Sequence, residues 1–218
     1  WSTADNWIGN VAPIGGDDLV FPAGVSNLTT NNDFSGTSFN SITFNDGGYN
    51  ISGNSIALAG TFTAANFVSQ TTTTLNLGIA LGTGNFVLDS SANIDINGVL
   101  SGSSGLTQGG AGGTLRLSGN AGNTYTGTTT LNSGTLELNK LVGVAIAGDF
   151  VVGDGSGTDF VKYFVNNQVA NGSNVSVVGD SAKIDLNNWN DVIGSLTMTG
   201  GTVQTGTGLV VPVRILVA

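Results

Sequence analysis

One pattern constrains the fold of this chain more than any other: an apolar-x-apolar pair of residues that returns at a nearly constant interval. Leu115/Leu117 and Leu136/Leu138 are two adjacent copies of this pair. Towards the N-terminus the same pair recurs at nearly the same interval. In chain order the pairs are Ile56/Leu58, Leu75/Leu77, Ile94/Ile96, Leu115/Leu117 and Leu136/Leu138. Self-similarity at a period of about 20 residues indicates a stack of repeated units.

A second series of apolar residues runs between these pairs at about the same interval. The two series predict an all-β fold, a single right-handed parallel β-helix with about 20 residues and three short strands per coil. Stacking coils at ~4.8 Å turns each short strand into part of a continuous apolar column. Leu75, Ile94, Leu115 and Leu136 should then lie in one vertical file. The second series is Phe67, Phe86/Leu88, Leu106, Thr129/Leu131, Phe150/Val152, Val175/Val177 and Leu196/Met198.

A β-sandwich or β-barrel is the alternative fold, because it also has short strands separated by regularly spaced turns. Neither needs the same pair to return at a fixed coil length, so the solenoid is favoured. The composition agrees with an all-β chain, since 35 glycines accompany abundant Thr, Ser and Asn. No shift in composition marks a linker, and we predict one domain.

The composition also excludes several kinds of chemistry. The chain has no cysteine and no histidine, so disulfides, ordinary zinc sites and Ser-His-Asp or Cys-His nucleophile pairs are ruled out. The net charge of −9 argues against nucleic acid or an anionic membrane surface as partner. The apolar runs are too short to predict a membrane span, and no cofactor is expected.

The two ends of the chain do not follow the repeat. Residues 1–22 carry two tryptophans and a short apolar strand, and we predict an N-terminal cap in which Trp1 and Trp7 cover the first coil of a solenoid that spans residues 23–208. The alternative is that these tryptophans form an exposed platform on which a sugar stacks.

Residues 209–218 form a strand that is apolar on both faces and would be unsafe as a free edge. We expect it either to fold back as a cap or to pair with another chain. In the second case subunits join head to tail, since open solenoid ends are complementary and a contact that does not close gives a filament. The predicted assembly residues are Leu209, Val211, Val213, Ile215, Val217, Trp1 and Trp7.

One loop resembles a calcium loop. Asp154, Ser156 and Asp159 provide oxygen ligands at short spacings within a glycine-rich stretch, which is the pattern that wraps Ca²⁺. The bidentate carboxylate that normally follows is missing, and Asp-Gly-Ser-Gly is equally the sequence of a solvated turn. Both interpretations stay open here, with the turn favoured.

The residues between the paired apolar positions should point outward. They are Ala57, Asn76, Asp95, Arg116 and Glu137, so Asp95, Arg116 and Glu137 should stack on one face. Acid and arginine on a β-helix surface could serve a polysaccharide lyase or hydrolase, with Lys140 as the only further cation nearby. A ladder of alternating charge that avoids like-charge repulsion explains the same residues. We favour the ladder and predict no enzymatic activity.

Three segments closely resemble the autotransporter-associated β-strand repeat. They are Gly113-Thr-Leu-Arg-Leu-Ser-Gly-Asn120, Tyr125-Thr-Gly-Thr-Thr-Thr-Leu131 and Gly134-Thr-Leu-Glu-Leu-Asn139. The resemblance implies a right-handed parallel β-helix at the surface of a bacterial cell, without known catalysis in the repeat.

Together these features predict a secreted, extracellular structural solenoid, a cell-surface or filament building block. A surface adhesin or polysaccharide-binding module, with a cell-surface glycan as partner, is the alternative.

Overall fold

The structure is a computed structural model that describes residues 1–65, 67–89, 91–110 and 112–217, with the backbone alone for residues 212–217. Its described part contains one short 3-10 helix, Ala4–Asn6, and 23 strands. In chain order the strands are β1 (Asp18–Phe21), β2 (Thr29–Asn32), β3 (Ser38–Phe39), β4 (Ser41–Phe44), β5 (Asn50–Gly53), β6 (Ile56–Leu58), β7 (Phe62–Ala64), β8 (Thr73–Leu75), β9 (Ile79–Leu81), β10 (Asn85–Leu88), β11 (Asn93–Ile96), β12 (Leu100–Ser101), β13 (Leu106–Gly110), β14 (Thr114–Gly119), β15 (Thr129–Leu131), β16 (Gly134–Lys140), β17 (Phe150–Val152), β18 (Asp159–Tyr163), β19 (Asn174–Val177), β20 (Ala182–Asp185), β21 (Asp191–Met198), β22 (Thr202–Gln204) and β23 (Val210–Val217).

These strands form three parallel sheets that run along one solenoid. The first sheet has the order β1-β4-β7-β10-β13-β15-β17-β19-β21-β23, the second β2-β5-β8-β11-β14-β16-β18-β20-β22, and the third β12-β9-β6-β3. All pairings between these strands are parallel. The predicted β-solenoid is therefore confirmed, with about 9 turns of roughly 21 residues. Its handedness stays a prediction, because strand order and register do not define it.

The third face departs from the prediction of three strands in every coil. Among the described residues, the regular strands of this face are β3, β6, β9 and β12, which belong to the first four coils. Further along the chain this face is irregular, and its coils are joined by backbone hydrogen bonds outside regular strands. Examples are the bond from the Thr124 N–H to the Leu100 carbonyl at 2.8 Å and the isolated bridge between Ile146 and Val169. Side chains add to these bonds: Asn123 Oδ1 accepts from the Leu100 N–H at 2.9 Å, and its Nδ2 donates to the Ala145 carbonyl at 2.8 Å.

The predicted vertical file is right for three of its four members. Ile94, Leu115 and Leu136 are register partners, but Leu75 pairs with Ile96 and lies one inward position away. The pairs do not all belong to one face either, since Ile56 lies in the third sheet.

The reason for this error is that all three faces carry the same apolar-x-apolar pattern. An interval measured from one face to another can therefore imitate a coil length. The second series was misassigned in the same way at Phe67, which lies outside the strands although it is buried. Phe62 fills that position of the first sheet and is the register partner of Phe86.

The interior is richest in aromatic rings in the N-terminal coils, whereas further along the chain aliphatic residues surround the buried Tyr125, Phe150 and Tyr163. Phe21 and Phe44 stack at 4.7 Å between ring centroids, and Phe62 and Phe86 stack at 4.8 Å. Offset stacks of this kind add about 0.5–1.5 kcal/mol each beyond the area that they bury. The aliphatic file of the first sheet continues in register through Leu131, Val152 and Val177.

Amide side chains also bond along the axis at one corner of the solenoid. Asn76 Nδ2 donates to Asn50 Oδ1 at 2.7 Å, and Asn97 Nδ2 donates to Asn76 Oδ1 at 2.7 Å. Each bond joins one coil to the next, so the stack is tied at its corner as well as by its backbone. No helix in the described residues is long and apolar enough to cross a membrane.

Candidate functional site

The N-terminal end of the core is closed by the two tryptophans. Trp1 is only 6% exposed, and its ring lies 5.8 Å from that of Phe21 and 5.9 Å from that of Phe39. Its indole N–H donates to Thr30 Oγ1 at 3.0 Å, and the indole N–H of Trp7 donates to the Trp1 carbonyl at 2.8 Å. Both indole donors are thus used within the protein. Trp1 is not an exposed platform for a sugar.

The surface of this end is apolar, which the sequence pattern did not indicate. Ile8 is 97% exposed, and Val11, Ile14, Val20 and Val25 are exposed as well. A groove of about 410 Å³ runs between Ile8, Val11 and Val20. Most of these residues belong to irregular segments, where no periodicity separates an inward from an outward position, and Val20 is an outward position of the edge strand β1.

The C-terminal end carries the last strand of the first sheet. β23 pairs with β21 on one side, and in the described chain no strand pairs with its other edge. Leu209 is 63% and Val211 is 50% exposed beside that edge. Ile215 and Val217 are in backbone register with Leu196 and Met198.

Val213 lies in the same strand, but side chains from residue 212 onward are outside the description. The tail is therefore neither folded back over the core nor separate from the solenoid. It continues the first sheet as its final strand.

A ladder of alternating charge runs along the outer face of the second sheet. Asp95, Arg116 and Glu137 are register partners, as predicted, and the file continues through Lys162 and Asp185. Two other residues that were expected to share this face do not lie in the file: Thr74 takes the place predicted for Asn76, and Ala57 belongs to the third sheet.

Arg116 is held from two sides within this ladder. Its Nε lies 3.5 Å from Glu137 Oε2, and its guanidinium lies 4.6 Å from the centroid of the Phe164 ring. Asp95 accepts a hydrogen bond from the Ser118 hydroxyl. The ladder alternates in sign at every rung, and this arrangement avoids like-charge repulsion between stacked coils. The contacts of its acids and its arginine therefore fit a structural role.

Lys140 is a fully buried cation that ties together three coils. Its ammonium group donates to the Gly98 carbonyl at 2.8 Å and to the Asn97 carbonyl at 3.4 Å. Its backbone N–H donates to Gln168 Oε1 at 2.8 Å, and the Gln168 amide returns a bond of 3.0 Å to the Lys140 carbonyl. Burial lowers the pKa of Lys140 to about 8, and the charge of Asp95 opposes this shift.

In the loop with the calcium-like pattern, one carboxylate is exposed and the other is buried. Asp154 is exposed, and its Oδ1 accepts from the Ser156 N–H at 2.9 Å and from the Ser156 hydroxyl at 2.7 Å. Asp159 is fully buried, and neither of its carboxylate oxygens has a hydrogen-bond partner. Burial, reinforced by the charge of Asp154, raises the pKa of Asp159 to about 6. Within the described ranges, no three His, Cys, Asp or Glu side chains form a metal cluster.

The fold and these surfaces define a parallel β-solenoid that carries a ladder of alternating charge on one face and exposed apolar residues at both ends. Comparison of the chain with protein-family models, curated proteins and solved structures gave no match. Membership of the autotransporter-associated repeat family therefore stays a prediction that rests on the sequence motifs alone.

Proposed function

We propose that this chain is an extracellular structural β-solenoid that associates end to end as a building block of a cell surface or filament. The observation that carries the proposal is the position of its exposed apolar residues. Of the twelve large hydrophobic side chains exposed in the described part of the chain, five lie from Ile8 to Val25, at one end, and Leu209 and Val211 lie at the other. The remaining five are spread along the solenoid between the two ends. The cluster at the N-terminal end supports the proposal most strongly, because a group of neighbouring exposed apolar side chains marks an interaction site, whereas single ones do not.

The strand edges support the same association. β23 has eight residues and one edge that is unpaired in the described chain, so it presents a row of free backbone donors and acceptors. A second copy whose N-terminal end approaches this edge would cover it together with Leu209 and Val211. The two contact surfaces differ, so the contact is heterologous, and repetition without closure produces a filament.

The extracellular setting is part of the proposal and is supported by the repeat motifs between Gly113 and Asn139, which resemble those of surface-exposed bacterial proteins. Low charge is compatible with that setting, since only 9% of the residues are charged. The ladder from Asp95 to Asp185 and the buried Lys140 then serve the mechanical stability of the stack.

The experiment compares end variants with a side variant of equal chemistry. Val211→Lys and Ile8→Lys each place a charge at one end, and Val68→Lys places it on the side of the solenoid, where Val68 is 87% exposed. Light scattering with size-exclusion chromatography and negative-stain microscopy measure association. We expect both end variants to be monomeric, while Val68→Lys assembles like the unaltered chain. Filaments that persist after deletion of residues 209–218 would contradict the proposal, as would an unaltered chain that stays monomeric at high concentration.

Glycan binding is a second candidate, favoured by one groove at the N-terminal end. The groove measures about 570 Å³ and combines the half-buried ring of Trp7 with the polar side chains of Asn27, Asn31 and Asp33. Aromatic faces beside amide and carboxylate groups suit a sugar ring. A glycan array tests this candidate, with Trp7→Ala as the variant that should lose any signal. An array without hits would dismiss it.

A further inference from the structure

Asp159 is a buried carboxylate that the fold leaves without a partner. It is the first residue of β18 and points inward with Val161 and Tyr163. A second buried carboxylate in the same half of the molecule, Asp191, does have hydrogen-bond partners. Asp191 Oδ2 accepts from the N–H groups of Gln168 and Val169, both at 3.0 Å. Because burial without a hydrogen bond is costly, a partnerless carboxylate such as Asp159 calls for a bound ion or water.

The surroundings of Asp159 offer further oxygen atoms. Gly153 has a φ of +92°, and a Cβ at this position would overlap the Val178 carbonyl oxygen and lie 3.3 Å from Asp159 Oδ2. The glycine therefore lets a carbonyl oxygen and a carboxylate oxygen approach the same point of the backbone. On the solvent side of the loop, Ser156 orients the carboxylate of Asp154 through two hydrogen bonds.

We propose that the loop from Gly153 to Asp159 binds one Ca²⁺ ion through the carboxylates of Asp159 and Asp154 and through backbone carbonyl oxygens that include that of Val178. Asp159 has both oxygens free and supplies the bidentate carboxylate that the sequence pattern alone lacked. The ligands are all oxygen atoms, which is the donor set of hard cations. Ca²⁺ is favoured over Mg²⁺ because a loop of backbone carbonyls and two carboxylates tolerates its irregular coordination better than the strict octahedron of Mg²⁺.

The site would be weak by the standard of intracellular calcium proteins. With two carboxylates, a dissociation constant on the order of 10⁻⁴–10⁻³ M is expected, as in extracellular modules. Saturating Ca²⁺ stabilises only the folded chain. At about ten times the dissociation constant, we expect the Tm to rise by about 3–6 °C for a protein of this size.

The experiment measures Ca²⁺ binding to the whole chain after treatment with EDTA. Isothermal titration calorimetry with CaCl₂ should show one site, and thermal unfolding in 5 mM CaCl₂ should show the rise in Tm. Asp159→Asn should abolish both signals, and Asp154→Asn should weaken binding about tenfold or more. Asp5→Asn removes an exposed carboxylate from the N-terminal segment and should change neither signal.

The variants also separate the proposal from a merely structural role of Asp159. In EDTA, Asp159→Asn should be at least as stable as the unaltered chain, since it removes an unpartnered buried charge. Should that variant not fold, the exposed Asp154→Asn carries the test alone. The absence of a binding heat at millimolar CaCl₂ would overturn the proposal. A Tm rise of equal size in MgCl₂, or in NaCl of matched ionic strength, would overturn it as well.

Discussion

Lys140 provides the most quantitative test of the interior, because its buried ammonium makes the stability of the fold depend on pH in an unusual direction. The pKa of Lys140 is lowered from 10.5 to about 8 in the folded chain. Between these two values the unfolded chain binds more protons than the folded chain, so the free energy of unfolding rises with pH. Acidic groups with lowered pKa values, such as Asp18 and Asp46, titrate far below this window.

The magnitude follows from the two pKa values of Lys140. Between pH 7 and pH 10 its contribution to the free energy of unfolding should rise by about 2.5 kcal/mol. For a chain of this size, that change corresponds to a Tm shift of about 5–10 °C. Tyrosines act in the opposite direction near pH 10, since burial raises the pKa of Tyr125 to about 12 and also raises the pKa of Tyr163.

The assay therefore compares the unaltered chain with Lys140→Met at each pH, so that the tyrosine effect cancels. Urea unfolding followed by circular dichroism gives the free energy of unfolding at pH 7, 8, 9 and 10. We expect the difference between the two proteins to shift by about 2.5 kcal/mol in favour of the unaltered chain. Lys183→Met removes a lysine from an outward position of β20 and is the control for the loss of one positive charge. A constant difference for Lys140→Met would refute the argument that this ammonium is buried.

Three further substitutions test the packing, the backbone and the charged face. Phe86→Ala should lower the free energy of unfolding by about 3–5 kcal/mol, because it empties a stacked position of the core. Val87→Ala, on the outer side of the same strand, should change it by less than about 1 kcal/mol. Urea denaturation measures both, and equal effects would contradict the assigned faces. Gly105→Ala should cost about 1–3 kcal/mol, since its Cβ would overlap the Thr128 carbonyl oxygen of the next coil. Gly109→Ala, with open space around it, is the matched control, and thermal unfolding that ranks the two in the reverse order would count against the stacking. Glu137→Lys places a third positive charge between two others in the ladder and should cost about 1 kcal/mol in low salt. The loss should shrink in 1 M NaCl, and a loss that is independent of salt would show that the ladder is not electrostatic.

The repeat in the sequence was sufficient to predict the architecture, because burial of short strands requires the same apolar pair in each coil. It was not sufficient for register. Leu75 was placed beside Ile94 although its partner is Ile96, since three faces share one pattern and spacing alone does not say which face a pair belongs to. Gln108 shows a second limit, because a fully buried glutamine bonded to the Gly113 carbonyl occupies a core position that no apolar pattern marks.

The charged ladder and the ends show why candidate sites were predicted only in part. Asp95, Arg116 and Glu137 are evenly spaced along the sequence, but the next rung, Lys162, falls outside that spacing because the intervening coil is longer. The exposed apolar residues near Ile8 follow no period at all. Asp159 was predicted as a candidate calcium ligand from its residue type and spacing. Its burial could not be predicted, because it depends on which face of its strand is turned to the core, and the three-dimensional structure alone shows that.

The measurement that tests the central claim most directly is a distance series along one file of the second sheet. Thr74, Lys162 and Gln204 all belong to this file, and Lys162 lies four rungs and Gln204 six rungs from Thr74. The chain has no cysteine, so pairs of spin labels can be attached at introduced cysteines and their separations measured by pulsed electron paramagnetic resonance. Stacked coils predict separations of about 19 Å for Thr74 with Lys162 and about 29 Å for Thr74 with Gln204, at ~4.8 Å per rung. Separations that do not grow with the number of rungs would contradict the solenoid.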